Sequence, residues 1–198
     1  MTTAPPDPLL LACALGAERG ALRPAGRMPG VRLLRTGMVR SGPDAPSAGN
    51  WRGGVRPRAF LFAGFGAAVG PGIRPGEIVV ATQVRDTLGE PVQLPGAGRL
   101  ADALSHTGMT VRSGPLYTAD RIVRGAERAA LHADGVLCVD METSAALREL
   151  PEGVPAAAVR VIVDTPEQEL LRPGTLVHGL RAWRILRAAA PVLAAWRP

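Results

Sequence analysis

Lysine is absent from this chain of 198 residues, so all 23 basic residues are arginine. Aromatic residues are scarce, at 4%. The formal net charge of +6 and a sequence pI near 11 would suit a polyanion-binding protein. The arginines, however, run from Arg19 to Arg197 with no cluster along the sequence and no interleaved aromatic residues to stack on bases. A specific nucleic-acid partner is therefore not expected. Only two cysteines are present, Cys13 and Cys138, each inside an apolar run, so they read as buried free thiols rather than a disulfide framework. The three histidines, His106, His132 and His178, lie far apart and with these cysteines form no metal-ligand spacing. No apolar run approaches the ~18 residues of a membrane span. The stretch Leu9 to Leu15 has no basic residue before it and is followed at once by Glu18 and Arg19, unlike a signal peptide. A soluble, cytoplasmic protein is the expectation.

What is present suits an ordinary globular domain. Hydrophobic residues make up 46% and charged ones 20%, with 24 Gly and 19 Pro to turn the chain. The length fits one domain over residues 1–198. Apolar runs bounded by Gly and Pro alternate with helical patterns, which is the α/β signature. Strands are expected at 9–14, 31–36, 59–64, 77–84, 110–114, 136–139 and 156–163, with a strand-like pair at 122–123. Helices are expected at 18–23, 100–107, 126–133, 141–150 and 175–196. The fully apolar stretch AFLFAG at 59–64 reads as a central strand. In the last helix Leu176, Leu180, Trp183, Leu186 and Leu193 form the apolar face. Residues 38–58, rich in Pro and Gly, read as an irregular loop where an α/β fold would carry a crossover helix.

Three acids follow strongly apolar strands: Glu18 after LLLACALGA, Glu142 after VLCVDM and Asp164 after AAAVRVIV. In an open α/β sheet ligands bind beyond the strands' carboxyl ends, so three carboxylates emerging there could converge on one cleft. Each could equally open the helix that follows, because acids are favoured in first turns. Glu142 fits that second role least, since Asp140 is already available as an N-cap. Asp164, before Thr165 and Pro166, reads as a loop carboxyl able to donate a proton if apolar surroundings raise its pKa.

Six segments in order carry a resemblance: LGAERGALR at 15–23, RTGM at 35–38, AGFGAAVGPGIRPGEIVVATQVRD at 63–86, GPLYTADRIV at 114–123, CVDMET at 138–143 and VRVIVDTP at 159–166. With these the chain resembles the nucleoside phosphorylase/nucleosidase superfamily, which includes methylthioadenosine nucleosidase and purine nucleoside phosphorylase. Within it the likeness is greatest to the hopanoid-associated phosphorylase-like branch. The resemblance implies a single α/β domain, a twisted mixed central sheet flanked by helices in three αβα layers. It also implies cleavage of the N-glycosidic bond of a purine nucleoside, an adenosyl compound of the adenosylhopane type that releases adenine. The implied class is an N-glycosidase or a purine nucleoside phosphorylase-type transferase, with no cofactor and with phosphate as the co-substrate in the second case. A homodimer is implied as well. The rival readings are a catalytically impaired member that binds a nucleoside and, more remotely, a basic nucleic-acid-associated protein.

Carried over residue by residue, the resemblance makes Glu18 the group that orders or deprotonates water and Asp164 the proton donor towards N7 of the base. Met141 and Glu142 would hold the ribose, and Ile122 and Val123 would contact the base. Gly64, Phe65 and Gly66 would form the glycine-rich turn beside the sugar. The chain departs from the pattern at Phe62, where purine phosphorylases carry arginine, and at Phe65 and Val163, where serine or threonine is common. That leaves Arg40 as the arginine nominated for anion binding, and the balance leans towards water as nucleophile. Phe62, Phe65 and the last helix could accept a hydrocarbon, and Arg181, Arg184 and Arg187 could meet an anionic membrane surface weakly.

Overall fold

The computed structural model describes residues 7–37, 57–166 and 175–198. In chain order these form β1 (Leu9–Cys13), α1 (Gly16–Leu22), a 3₁₀ turn (Ala25–Arg27), β2 (Val31–Arg35), β3 (Ala59–Ala68), β4 (Ile78–Arg85), β5 (Val92–Gln93), α2 (Ala97–Ser105), β6 (Val111–Thr118), α3 (Gly125–Ala133), β7 (Cys138–Asp140), α4 (Thr143–Arg148), β8 (Ala156–Asp164) and α5 (Thr175–Ala195). The irregular loop expected at 38–58 falls almost wholly outside the described residues, as does Arg40.

The strands form one mixed sheet in the order β2-β1-β3-β7-β6-β4-β5, with β8 pairing both β3 and β4. β1, β2, β3 and β8 run parallel, whereas β8 meets β4 and β3 meets β7 antiparallel. Because β4, β6 and β7 are also mutually parallel, the strands β3, β8, β4, β6 and β7 close a ring at one end of the sheet. The apolar runs are continuous because both faces are covered. Along β1, Leu9, Leu11 and Cys13 face the layer of α1, α2 and α5, while Leu10 and Ala12 face the layer that includes α4. The same alternation in β3 sends Leu61 to one side and Phe60 and Phe62 to the other. This is the three-layer α/β arrangement the sequence implied.

Several boundaries differ from expectation for identifiable reasons. The glycines at 64 and 66 do not make a turn; β3 runs straight through both and shifts register against β8 only between Gly66 and Ala67. β6 continues past Gly114 and Pro115, with an irregularity in its pairing to β4 facing that proline, the setting in which a strand tolerates a missing N–H. Ile122 and Val123 are not in a strand. In α5 the buried stripe is Ala182, Leu186, Ala189, Ala190 and Leu193, and Leu180 is half exposed. Small alanines rather than a wide leucine face let this helix lie close against α1 and β8. No described helix is long and apolar enough to cross a membrane.

Candidate active site

β1 ends beside the middle of the longer parallel strands β3 and β8, and Glu18, Gly64 and Arg160 meet just beyond its last residue. The Glu18 side chain on α1 is buried and turned back onto the backbone. Its Oε2 accepts from the amides of Ala14 at 3.0 Å and Leu15 at 2.8 Å, and its Oε1 from the amide of Phe65 at 2.7 Å. One carboxylate thus ties the first turn of α1 to the middle of β3. Gly64 makes the approach possible, because a Cβ there would lie 2.7 Å from Glu18 Cδ and 3.0 Å from Arg160 Nη1. Gly66 is needed for a second close approach, 3.2 Å from its Cβ position to the carbonyl of Val139 on β7. Both glycines serve packing of charged and backbone groups rather than a turn.

Between these groups lies a residue that the sequence pattern did not single out. Arg160 sits at the centre of β8, only 1% exposed. Its guanidinium covers the Phe62 ring at 4.6 Å and donates through Nε to Asp140 Oδ2 at 2.7 Å, with Nη2 reaching both Asp140 and Thr143 Oγ1. Asp140 also accepts from Thr118 Oγ1 at 2.8 Å. Burial works against the charge on Arg160, but Asp140, Glu18 and Glu142 together hold it protonated. The signal was a single charge inside the apolar run AAAVRVIV. Such a residue is tolerated in a two-sided buried strand only when paired.

Glu142 stands at the N-cap of α4 without a side-chain capping bond, and its Oε2 accepts from the Met141 amide at 3.3 Å. The helix therefore starts at Thr143, later than expected, with Asp140 accepting from the Thr143 amide at 3.4 Å. Burial first, then the neighbouring Asp140, pushes the Glu142 carboxyl up to about 7, with Arg160 opposing and Glu18 adding to the rise. Glu18, Glu142 and Arg160 are thus close enough to act on one another's charge.

Asp164 closes β8 opposite Ala67, and Arg128 from α3 donates to its Oδ2 at 3.0 Å, with both side chains buried. The expectation of a carboxyl on a loop is thus corrected. It is the last residue of a strand, and it is ion-paired.

The sequence model of the phosphorylase superfamily matches residues 30–177. The chain belongs to that superfamily. No curated protein matches the sequence. Among solved structures, futalosine hydrolase of Helicobacter pylori is similar at a TM-score of 0.75 and 12% identity, over 96% of this chain and 97% of that one. The 5′-methylthioadenosine/S-adenosyl homocysteine nucleosidase of the same organism, in complex with a pyrrolopyrimidinyl-methyl pyrrolidinol, gives 0.68 and 14% over 97% and 96%. S-adenosylhomocysteine nucleosidase from Streptococcus pyogenes, in complex with 5-methylthiotubericidin, gives 0.70 and 17% over 99% and 100%. At these identities the likeness establishes the fold.

Within this phosphorylase-superfamily chain the remaining expected residues are arranged unevenly. Phe65 is half-buried, and its backbone amide rather than its ring meets Glu18. Phe62 is fully buried beneath Arg160 and stacks on Phe60 at 6.2 Å, so it cannot receive a hydrocarbon. Val123 packs into a small core with Val69, Val136 and Val139, whereas Ile122 beside it is 60% exposed. Cys13 and Cys138 are free and buried, and burial pushes the Cys13 thiol up to about 12. Among the described residues no cluster of three His, Cys, Asp or Glu is suited to a metal.

Proposed function

We propose that this protein hydrolyses the N-glycosidic bond of a purine nucleoside, with Glu18 and Arg160 handling the water and Glu142 the ribose. The observation that carries the reading is the Glu18–Arg160–Glu142 group beyond the end of β1, beside the middle of β3 and β8. Three of the roughly four lone-pair positions of the Glu18 carboxylate are taken by backbone amides, which fixes its orientation and leaves capacity for one more donor. As the water oxygen bonds to C1′ and the bond from C1′ to the base nitrogen breaks, Glu18 takes the water's proton. The departing base takes its proton from the Asp164 carboxyl, which enters the step protonated and is left as the carboxylate paired with Arg128. Glu142 accepts from the ribose hydroxyls, and its negative charge favours the cationic sugar of the transition state. Acid–base help of this kind is typically worth ~10²–10⁴-fold.

Water is favoured over phosphate because Phe62 and Phe65 stand where phosphate-binding side chains would be needed. A dianion would also meet Glu18 and Glu142. The finer substrate we propose, on the resemblance of the sequence motifs, is an adenosyl compound with an apolar 5′ group of the adenosylhopane type. One observation favours the second reading, a nucleoside-binding protein without turnover: Asp164 is occupied by Arg128.

Incubation with a panel of 5′-substituted adenosines, following free base with and without phosphate, tests both readings. Release of base without phosphate, lost in Glu18→Gln and Glu142→Gln, is the expected result. Nucleoside binding without base release, unaffected by Asp164→Asn, would establish the binding protein instead. Strict dependence on phosphate would reverse the choice of nucleophile.

A further inference from the structure

The arginines that look scattered along the sequence are not scattered in the fold. Arg19, Arg23, Arg27 and Arg32 line one groove of about 600 Å³ between α1, the 3₁₀ turn and the edge strand β2. Helical spacing brings this about. Glu18, Ala21 and Leu22 form the buried stripe of α1, while Gly16, Arg19, Gly20 and Arg23, at positions i, i+3, i+4 and i+7, form the stripe facing the groove. All four arginines are exposed, and among the described residues none is paired with a carboxylate. The one acid between residues 16 and 35 is Glu18, turned inward onto backbone amides. Four like charges around one concavity repel one another, and nothing in the packing of the domain requires them there.

The floor of the groove points the same way. Gly26 is a packing glycine, since a Cβ there would lie 2.8 Å from Leu33 Cβ. Gly16 and Gly20 are different. The nearest atom to a Cβ would be 3.6 Å away at Gly16 and 3.8 Å away at Gly20, and neither has a positive φ. Alanine would fit at both, and at Gly20, inside the helix, it would be favoured by about 1 kcal/mol. Bare helix backbone beside four guanidinium groups is what close approach of an anion uses.

We propose that this groove binds a soluble small molecule carrying adjacent phosphate groups, such as the polyphosphate portion of a nucleotide. Guanidinium forks match phosphate oxygens pairwise, so four of them around one concavity suit more than one phosphate. The volume is that of a small-molecule site. The one aromatic residue near it among the described residues, Trp183, lies behind Gly20 and donates its indole N–H to the Ala17 carbonyl, so the groove offers no row of stacking platforms for a single-stranded nucleic acid. The site is separate from the carboxylates of the candidate active site and does not depend on the reading given there.

Calorimetric titration of the full chain with inorganic tripolyphosphate is the test. Binding tighter than that of orthophosphate is expected, and an Arg23→Gln/Arg27→Gln variant should bind roughly 100-fold more weakly, about tenfold for each charge-assisted hydrogen bond removed. Arg74→Gln/Arg184→Gln removes the same net charge from exposed positions elsewhere and should leave the affinity within about threefold. Equal losses in the two variants would reduce the effect to net charge and overturn the site. So would absence of tripolyphosphate binding, or binding confined to phosphatidylcholine vesicles doped with phosphatidic acid.

Discussion

Replacing Arg160 with methionine separates the structural from the functional part of the buried charge network. The Arg160–Asp140 pair has side-chain exposures of 1% on both partners, so neither charge has water to fall back on. In Arg160→Met, Asp140 keeps the Thr118 hydroxyl at 2.8 Å but loses the one cation paired with it among the described residues. Breaking such a pair from one side costs ~3–5 kcal/mol. Loss of the guanidinium from the Phe62 ring adds about 0.5–2 kcal/mol, and release from burying a charge offsets part of the total. A net loss of about 3 kcal/mol is expected, a large share of the roughly 5–15 kcal/mol available to a domain. Adding Asp140→Asn removes the stranded charge while leaving a group the threonines can bond. The double variant should therefore recover most of the stability, with a coupling of about 2 kcal/mol. Urea unfolding of the wild type, both single variants and the double variant measures this directly. Nucleoside cleavage should stay absent in the recovered double variant, because no cation then lies between Glu18 and Glu142. A cost below ~1 kcal/mol for Arg160→Met, or a double variant no more stable than that single one, would refute the reasoning.

Two further outcomes follow from the same site. Glu142 has its carboxyl raised from 4.5 to about 7, so the folded protein keeps a proton there that the unfolded chain gives up. Its contribution to stability is full below pH 4.5 and is lost as pH rises through about 7; unfolding midpoints of wild type and Glu142→Gln across that range should show the slope only in the wild type. Ribose hydroxyls need the ionised carboxylate, so kcat/KM should rise with pH through the same window, and a flat profile would exclude Glu142 from the ribose. Gly64→Ala would put a Cβ 2.7 Å from Glu18 Cδ, costing about 1–3 kcal/mol and displacing the carboxylate from the Phe65 amide. Unfolding and base-release assays should both register it, and unchanged turnover would count against Glu18 as the group that handles water.

The sequence by itself determined the layers and most of the elements. Runs such as LLLAC and AFLFAG must be covered on both faces, and a sheet buried on both faces between helices satisfies that requirement. It also pointed to Glu18, Glu142 and Asp164, because acids that follow buried strands emerge at the ligand-binding edge of such a sheet. What each carboxylate touches was decided by the tertiary structure alone. Glu18 binds an amide 47 residues away, Asp164 meets an arginine 36 residues away, and Asp140 meets one 20 residues away. The clustering of Arg19, Arg23, Arg27 and Arg32 likewise arises only when α1, the 3₁₀ turn and β2 fold against one another. Local pattern fixes which face of an element is buried. The partner a buried charge finds depends on strand order and register, and those are set by closure of the whole sheet.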